Sequence, residues 1–239
     1  MRFIHFKNVD STSTFLKKNY LKYKNFTFVS ADCQTNGHGR MGRVWHSEPN
    51  NNLLFSLLIK DKELINKYNY LSLASACVIL SVLNDLKINN VSIKWPNDVY
   101  VDGRKISGIL LESVSNNQEL EVLIIGVGIN VNQKQFNNDL IHPATSLYIE
   151  LGKNFKIHRL KRIVYKRFIK TFKKIKKGDN SYLLIAKKNN FLLNKEIFAE
   201  IENEKKSVKV IDINDDNSLK VIVNGEEKNL NSGEITFHI

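Results

Sequence analysis

Lys94-Trp95-Pro96-Asn97-Asp98-Val99-Tyr100-Val101-Asp102-Gly103-Arg104-Lys105-Ile106-Ser107-Gly108 is the stretch around which the chain is organised. Three apolar residues, an Asp-Gly step and a second run carrying Ile106, Ile109, Leu110 and Leu111 spell a β-hairpin, because Asp-Gly tolerates the positive φ of a tight turn. A hairpin fixes distances, so Asp98 and Lys105 are expected to face each other across two strands. One carboxylate and one ammonium on a rigid ribbon suit a site that takes a metal–phosphate group together with an acid. The plain alternative is a surface hairpin with a cross-strand ion pair of little energetic consequence. The stretch by itself favours that alternative; the rest of the chain reverses the balance.

Upstream, a strand over 26–31 leads into Cys33-Gln34-Thr35-Asn36-Gly37-His38-Gly39-Arg40-Met41-Gly42-Arg43-Val44-Trp45. Glycines let a backbone approach a ligand closely, and arginines offer forked donors to phosphate or carboxylate. The Gly-Lys-Ser/Thr ending of a P-loop is missing, and the glycine spacing is not that of a dinucleotide fingerprint. Trp45 reads equally as a core anchor or as the wall of a nucleotide site. Earlier still, residues 2–9 form a short strand and Asp10-Ser11-Thr12-Ser13-Thr14 opens a helix to about residue 23. Such a start satisfies free amides and also binds polar ligand groups; a plain cap accounts for these residues without any ligand.

A buried strand over 53–60 and one long helix over 64–86 precede the strand 91–95 that enters the hairpin. A further apolar strand, 120–127, ends in Gly126-Val127-Gly128-Ile129-Asn130-Val131-Asn132. Glycines and amides at a strand end suggest backbone crowding against a ligand, with a β-bulge as the bland alternative. Residues 133–144 read as a polar connection, followed by short helices at 145–151 and 181–188 around a basic one. From residue 195 the pattern changes to short strands (196–202, 208–213, 219–223 and 235–239) with turns at Asn203-Glu204, Asp215-Asp216-Asn217, Asn224-Gly225 and Ser232-Gly233. This predicts a small β-barrel, with a domain boundary near Asn190.

The 239 residues suffice for one large domain plus a small one. Net charge is +12, and 12 of the 36 Lys/Arg lie between positions 153 and 177, where there is no Asp or Glu; the remaining 24 are matched by 24 acidic residues. The basic character therefore belongs to one helix, whose apolar positions are expected at Leu160, Ile163, Val164, Phe168, Phe172 and Ile175. The lysines read as its solvated side, with an acidic partner or nucleic acid as the functional alternative. Cys33 and Cys77 match no metal spacing and are expected to be reduced thiols in the cytoplasm. No run approaches the ~20 apolar residues of a membrane span, and the first residues are not a signal peptide.

Together these motifs resemble the biotin–protein ligases. The loop Gln34 to Trp45 is similar to that family's biotin-binding loop, Lys94-Trp95-Pro96-Asn97-Asp98, Lys105 with Gly108, and Gly126-Val127-Gly128-Ile129-Asn130 are similar to its other signatures, and they occur in its order. The resemblance covers nearly the whole chain. It implies an α+β fold: a mixed central sheet flanked by helices, like a class II synthetase, over residues 1–190, and an SH3-like β-barrel over 191–239. Departures are few: His38 stands where the family usually has Arg, and Ser13 where Asn is commoner. No helix-turn-helix precedes the first strand, so the resemblance is to the short class, and no operator binding is expected.

The activity the resemblance implies is activation of biotin by ATP and Mg²⁺ to biotinoyl-5′-AMP, then transfer to a lysine of a biotin carboxyl carrier protein. Lys105 and Arg40 are implied as catalytic groups. Ser11, Thr12, Ser13, Gln34, Gly37, His38, Gly39, Arg40, Lys105, Gly108 and Gly128 are implied biotin contacts. Arg40, Arg43, Trp45, Lys94, Asn97, Asp98, Lys105 and Asn130 are implied ATP contacts, with Asp98 the Mg²⁺ ligand. The molecule is expected to be a monomer or homodimer. The rivals are a lipoate–protein ligase, whose Arg-Arg-x-Ser-Gly-Gly-Gly type of loop is absent here, and a nucleic-acid-binding protein using the basic helix, which leaves the hairpin and the glycine loop unexplained.

Overall fold

A computed structural model describes residues 3–117, 119–136, 143–201, 204–231 and 237–238. A seven-stranded mixed sheet forms its centre, in the order β1(Phe3–Val9), β2(Phe28–Gln34), β3(Asn52–Ile59), β7(Glu119–Asn130), β6(Arg104–Asn116), β5(Asp98–Val101), β4(Val91–Lys94). Only β1 and β2 run parallel; every other neighbour is antiparallel.

The hairpin is present as read. β5 and β6 pair across Asp102 and Gly103, whose φ values of 47° and 74° are those that favour Asp-Gly. A bulge between Val99 and Tyr100 sets Asp98 opposite Gly108 and Tyr100 opposite Lys105. Asp98 and Lys105 therefore meet diagonally, not as direct cross-strand partners.

Each sheet face packs on different helices. On one, α1(Thr12–Asn19) seats Leu16 among Val29, Leu58, Val122 and Ile124. On the other, α3(Tyr68–Asp85) and α5(Ile157–Lys176) cover Phe28, Phe55, Leu57 and Ile125, and α6(Tyr182–Lys188) packs on α3. The expected helix over 64–86 is two elements, a single turn α2(Lys62–Ile65) and α3. Asp61 caps α2, accepting from the Leu64 amide, and the Lys67 ammonium donates to the Ile175 carbonyl, so the chain turns here to meet the end of α5. α3 is buried on nearly all sides, hence its continuous apolar sequence. A short α4(Leu147–Leu151), capped by Ser146 and stopped at Gly152 with φ 66°, precedes α5. In α5, Ile163 is 46% exposed, and Tyr165 takes the buried place expected for it.

After α6 the chain crosses the edge of β4, where the Ile93 amide donates to Asn189 and the Phe191 amide to Ile93. It then forms a five-stranded antiparallel sheet, β11(Glu226–Leu230)-β10(Leu219–Val223)-β9(Glu204–Ile213)-β8(Glu196–Ile201)-β12(Phe237–His238). β11, four of whose five residues are charged or amide-bearing, was not expected as a strand; it pairs with β10 throughout its length. Parts of the 133–144 connection (137–142), the turns at Asn203 and Ser232-Gly233, and residues 2, 235, 236 and 239 lie outside the described residues. Among the described residues, no helix is long and apolar enough to cross a membrane.

Candidate active site

A cleft of ≈ 890 Å³ opens on the α1 face of the central sheet. Its floor is made by residues that lack side chains. Gly126 and Gly128 lie inside β7, whose pairing with β3 runs without a register break, so the bulge alternative does not hold there. A Cβ on Gly128 would meet the Trp45 ring at 2.4 Å, one on Gly108 the same ring at 2.9 Å, and one on Gly126 the Ser13 hydroxyl at 2.7 Å. The glycines thus admit an indole and a hydroxyl, the close approach that only glycine permits.

One end of the cleft is a polar cluster at the start of α1. Gln34 Oε1 accepts from the Thr12 amide (2.8 Å) and hydroxyl (2.9 Å), and the Ser56 hydroxyl lies 2.7 Å from that of Thr12 and 2.9 Å from that of Ser13. Ser11 caps the helix through the Thr14 amide. Ser56 was not anticipated, although it is the one hydroxyl in the otherwise apolar run from Leu53 to Ile59 and stands opposite Gly126, and that was its signal.

The roof is the glycine loop. Residues 38 and 44 bridge, the Gly39 amide donates to Arg43, and the Trp45 amide donates to Gly37. Met41 and Gly42 take φ of 55° and 70° at its tip. Arg40 reaches down to Asn97 Oδ1 at 3.3 Å. Its pKa is lowered, mainly by burial, with Arg43 adding to that and Asp98 opposing it. His38 faces Glu112 of β6 at 3.4 Å, and Lys17 of α1 donates to the same carboxylate oxygen. Glu112 was missed: nothing local to its strand distinguishes it from a surface acid.

Between floor and roof lies the charged centre. Lys105 Nζ donates to Asp98 Oδ2 at 2.7 Å and sits 5.5 Å from the Trp45 ring centroid. Asp98 Oδ1 is buried and has no hydrogen-bond partner among the described residues. Lys94 is 7% exposed; burial pulls its pKa down to about 8, Asp98 resists, and Lys105 and Arg43 push the same way as burial. Asn97 is held by a paired exchange with Ile109, donating to its carbonyl and accepting from its amide through the backbone. The Trp95–Pro96 peptide is cis.

Of the residues read from the sequence, Ser11, Thr12, Ser13, Gln34, His38, Gly39, Arg40, Arg43, Trp45, Lys94, Asn97, Asp98, Lys105, Gly108, Gly128 and Asn130 all line this one cleft. Gly37 does not; it stands behind the wall, where a Cβ would press on the Trp45 carbonyl and the Gln34 amide. Asn130 lines the cleft, but its amide donates to the Thr145 carbonyl and so ties β7 to the segment before α4. Gln133, Gln135 and Phe136 complete that end and were not anticipated.

Four cations around one carboxylate suit a phosphate-bearing ligand next to an acid, and the hydroxyl and amide cluster suits an uncharged polar ring. Among the described residues no three His, Cys, Asp or Glu side chains gather as a metal cage. The orphaned Asp98 oxygen nevertheless fits a Mg²⁺ ion of the kind bound by one carboxylate plus substrate phosphates.

A sequence profile of the biotin/lipoate A/B protein ligase family matches residues 5–130. The bifunctional ligase/repressor BirA of Bacillus subtilis is 40% identical over 123 residues, 51% of this chain and 38% of that protein. BirA of Escherichia coli is 31% identical over 146 residues, 61% of this chain and 46% of that protein. The chain thus matches less than half the length of these curated relatives. The solved biotin protein ligase from Aquifex aeolicus in complex with biotin and ATP has a TM-score of 0.84 and 30% identity, covering 99% of this chain and 98% of that one. The profile spans more than half of the chain, across β1 to β7 and every motif of the cleft, and the chain belongs to the biotin/lipoate A/B protein ligase family.

Proposed function

We propose that this chain is an ATP-dependent biotin–protein ligase that makes biotinoyl-5′-AMP and passes the biotinoyl group to a lysine of a biotin carboxyl carrier protein. The observation that carries the reading is the Lys105–Asp98 pair, set between a glycine-floored slot and an arginine-bearing loop. Residues 1–190 act as the catalytic domain, and residues 191–239 form the small SH3-like domain.

In the first step a biotin carboxylate oxygen attacks the α-phosphorus of ATP, the α–β bridging P–O bond breaks and pyrophosphate leaves. In the second, the neutral amine of the acceptor lysine attacks the mixed anhydride carbonyl, the C–O bond to AMP breaks and the amine loses its proton. Neither step needs an enzyme nucleophile; both need charge neutralisation and alignment away from water. Lys105 neutralises the biotin carboxylate and then the α-phosphate as charge builds there. Arg40 and Arg43 take phosphate oxygens and bring the glycine loop down over the intermediate, while Lys94 and Asn97 contact the nucleotide. Ser11, Thr12, Ser13 and Gln34 hydrogen-bond the polar ring of biotin. Asp98 would hold Mg²⁺ through its unpartnered oxygen, and the bound ion would supply screening of the triphosphate charge.

The test is pyrophosphate release from Mg²⁺-ATP with biotin and lipoate offered separately. Release with biotin alone is expected. Release with lipoate alone would keep the adenylation chemistry and move the substrate to the lipoate branch; release with neither would overturn the assignment.

A further inference from the structure

The residues that make this chain basic are not those of the cleft. Phe55, paired in register with Val127, meets Phe168 of α5 edge to face on one side of the sheet, while Gly126, Gly128, Trp45 and Ser13 meet on the other. The 12 cations between positions 153 and 177 thus lie on or beside a helix packed against the face away from the cleft.

One of them, Lys153, precedes the helix and lies over the Phe155 ring; the other 11 divide in two. Arg167, Lys174 and Lys176 pair with Asp85, Asp179 and Asp61, and Lys161 donates to Ser30. Lys156, Arg159, Arg162, Lys166, Lys170, Lys173 and Lys177 are all exposed, and no carboxylate among the described residues pairs with any of them. These seven recur every three or four residues. On a helical projection they fall within an arc of about 120°, opposite the buried Leu160, Val164, Phe168, Phe172 and Ile175. They form one straight row about 30 Å long with a charge about every 5 Å, in which Ile163 is the exposed apolar residue.

We propose that this row is a docking surface for the phosphate backbone of double-stranded nucleic acid, bound without regard to sequence. Seven like charges in a rigid line, with no acid interspersed, match a regular row of phosphates better than the mixed surface of a folded protein. The row presents no aromatic side chain on which an unpaired base could stack, which argues against a single strand. Its apolar pole is spent in the protein core, so it has no face to insert into a lipid surface. The cleft lies on the other side of the sheet, so the row stays accessible while the cleft is occupied.

The experiment is fluorescence anisotropy of the full chain with two 24-base-pair duplexes of unrelated sequence, between 50 and 200 mM salt. Both should bind equally, with log affinity falling against log salt with a slope of up to about −6. Changing Arg159, Arg162, Lys166 and Lys170 to Gln together should lower affinity at least tenfold at 50 mM salt and flatten the slope by about 3–4. Changing the exposed Lys7, Lys188, Lys209 and Lys228 to Gln removes the same net charge and should leave affinity within about twofold. Biotin-dependent pyrophosphate release and thermal melting report that both variants are folded. Equal loss in both variants, or no loss in the first, would overturn the proposal. So would tighter binding of polyglutamate than of duplex at equal charge, which would make the row a site for an acidic protein.

Discussion

The indole Nε1 of Trp95 donates to the backbone carbonyl of Asn217 at 2.9 Å, joining the entry of the cleft hairpin to the β9–β10 turn of the C-terminal sheet. Asn217 holds φ 68°, and its side-chain amide is itself hydrogen-bonded to the buried Tyr182 hydroxyl. The small sheet therefore braces the segment that carries Asn97, which in turn receives Arg40 from the glycine loop.

Replacing Trp95 with Phe keeps a ring but removes the donor and leaves a buried carbonyl unpaired, which costs about 1–3 kcal/mol. Because Asn97 and Lys94 flank the bond, KM for ATP is expected to rise severalfold while KM for biotin changes little. Thermal melting and substrate titrations check this. An unchanged ATP KM would mean that the brace serves stability alone.

Lys105, whose ammonium donates to Asp98, is the group proposed to meet the biotin carboxylate and the α-phosphate. Lys105→Ala should leave a folded protein whose adenylate formation falls by roughly a thousandfold, the range for loss of a preorganised electrostatic contact. Single-turnover pyrophosphate release measures it, and near-normal release would remove Lys105 from the mechanism.

Much of this site was legible because its chemistry is local. Asp102-Gly103 announces its own turn, and a run of glycines and arginines announces a loop built to touch something. Tertiary relations were less so. The glycines of β7 resemble a strand end until Trp45 and Ser13 are seen in the space they leave. Glu112 is one more acid until Lys17, 95 residues away, and His38, 74 residues away, converge on it. β11 has the composition of a loop, and only its pairing with β10 makes it a strand. The break between α2 and α3 depends on Asp61 and on the end of α5, contacts that no helical periodicity contains.

Glu112 supplies a third prediction. It holds the glycine loop, through His38, and α1, through Lys17, to β6. Glu112→Gln weakens both contacts at once, so tryptic cleavage after Arg40 or Arg43 should accelerate severalfold in the absence of substrate, and biotin with ATP should slow it again. Equal cleavage rates in variant and wild type would mean the loop is held by its own backbone bonds.

Lys94 ties stability to pH. Its folded pKa of about 8 lies below the ordinary 10.5 because burial penalises the ammonium. Below pH 8 both folded and unfolded chains carry the proton, and the fold bears the whole penalty. Between about 8 and 10.5 the unfolded chain still holds the proton that the fold has released, so this group's contribution to stability rises with pH. Lys94→Met should be more stable than wild type at pH 7 by ~3 kcal/mol, and the gap should close toward pH 10.5. In activity the order reverses. On the proposed assignment of Lys94 to the nucleotide, the variant should bind ATP about tenfold more weakly at pH 7, since one cation of the cleft is lost, and wild type should approach it above pH 8. Denaturant melts and ATP titrations from pH 7 to 10 check both, and a constant stability gap across that range would refute the linkage.

Gly128→Ala tests whether Trp45 belongs to the site. A methyl there would stand 2.4 Å from Cε2 and 2.8 Å from Nε1 of the indole, so the ring must leave its place over the floor. Overpacking of this kind costs about 1–3 kcal/mol. Because the ring also faces Lys105, a shift of the indole reaches the group proposed to meet the biotin carboxylate. Biotin affinity should fall at least tenfold, and tryptophan emission should move to longer wavelength as Trp45 meets water. Trp45→Ala in the same chain should restore stability to that of Trp45→Ala alone, because the clash is then gone. If the double variant is no more stable than Gly128→Ala, the strain lies in the strand backbone and the indole is not what the glycine accommodates.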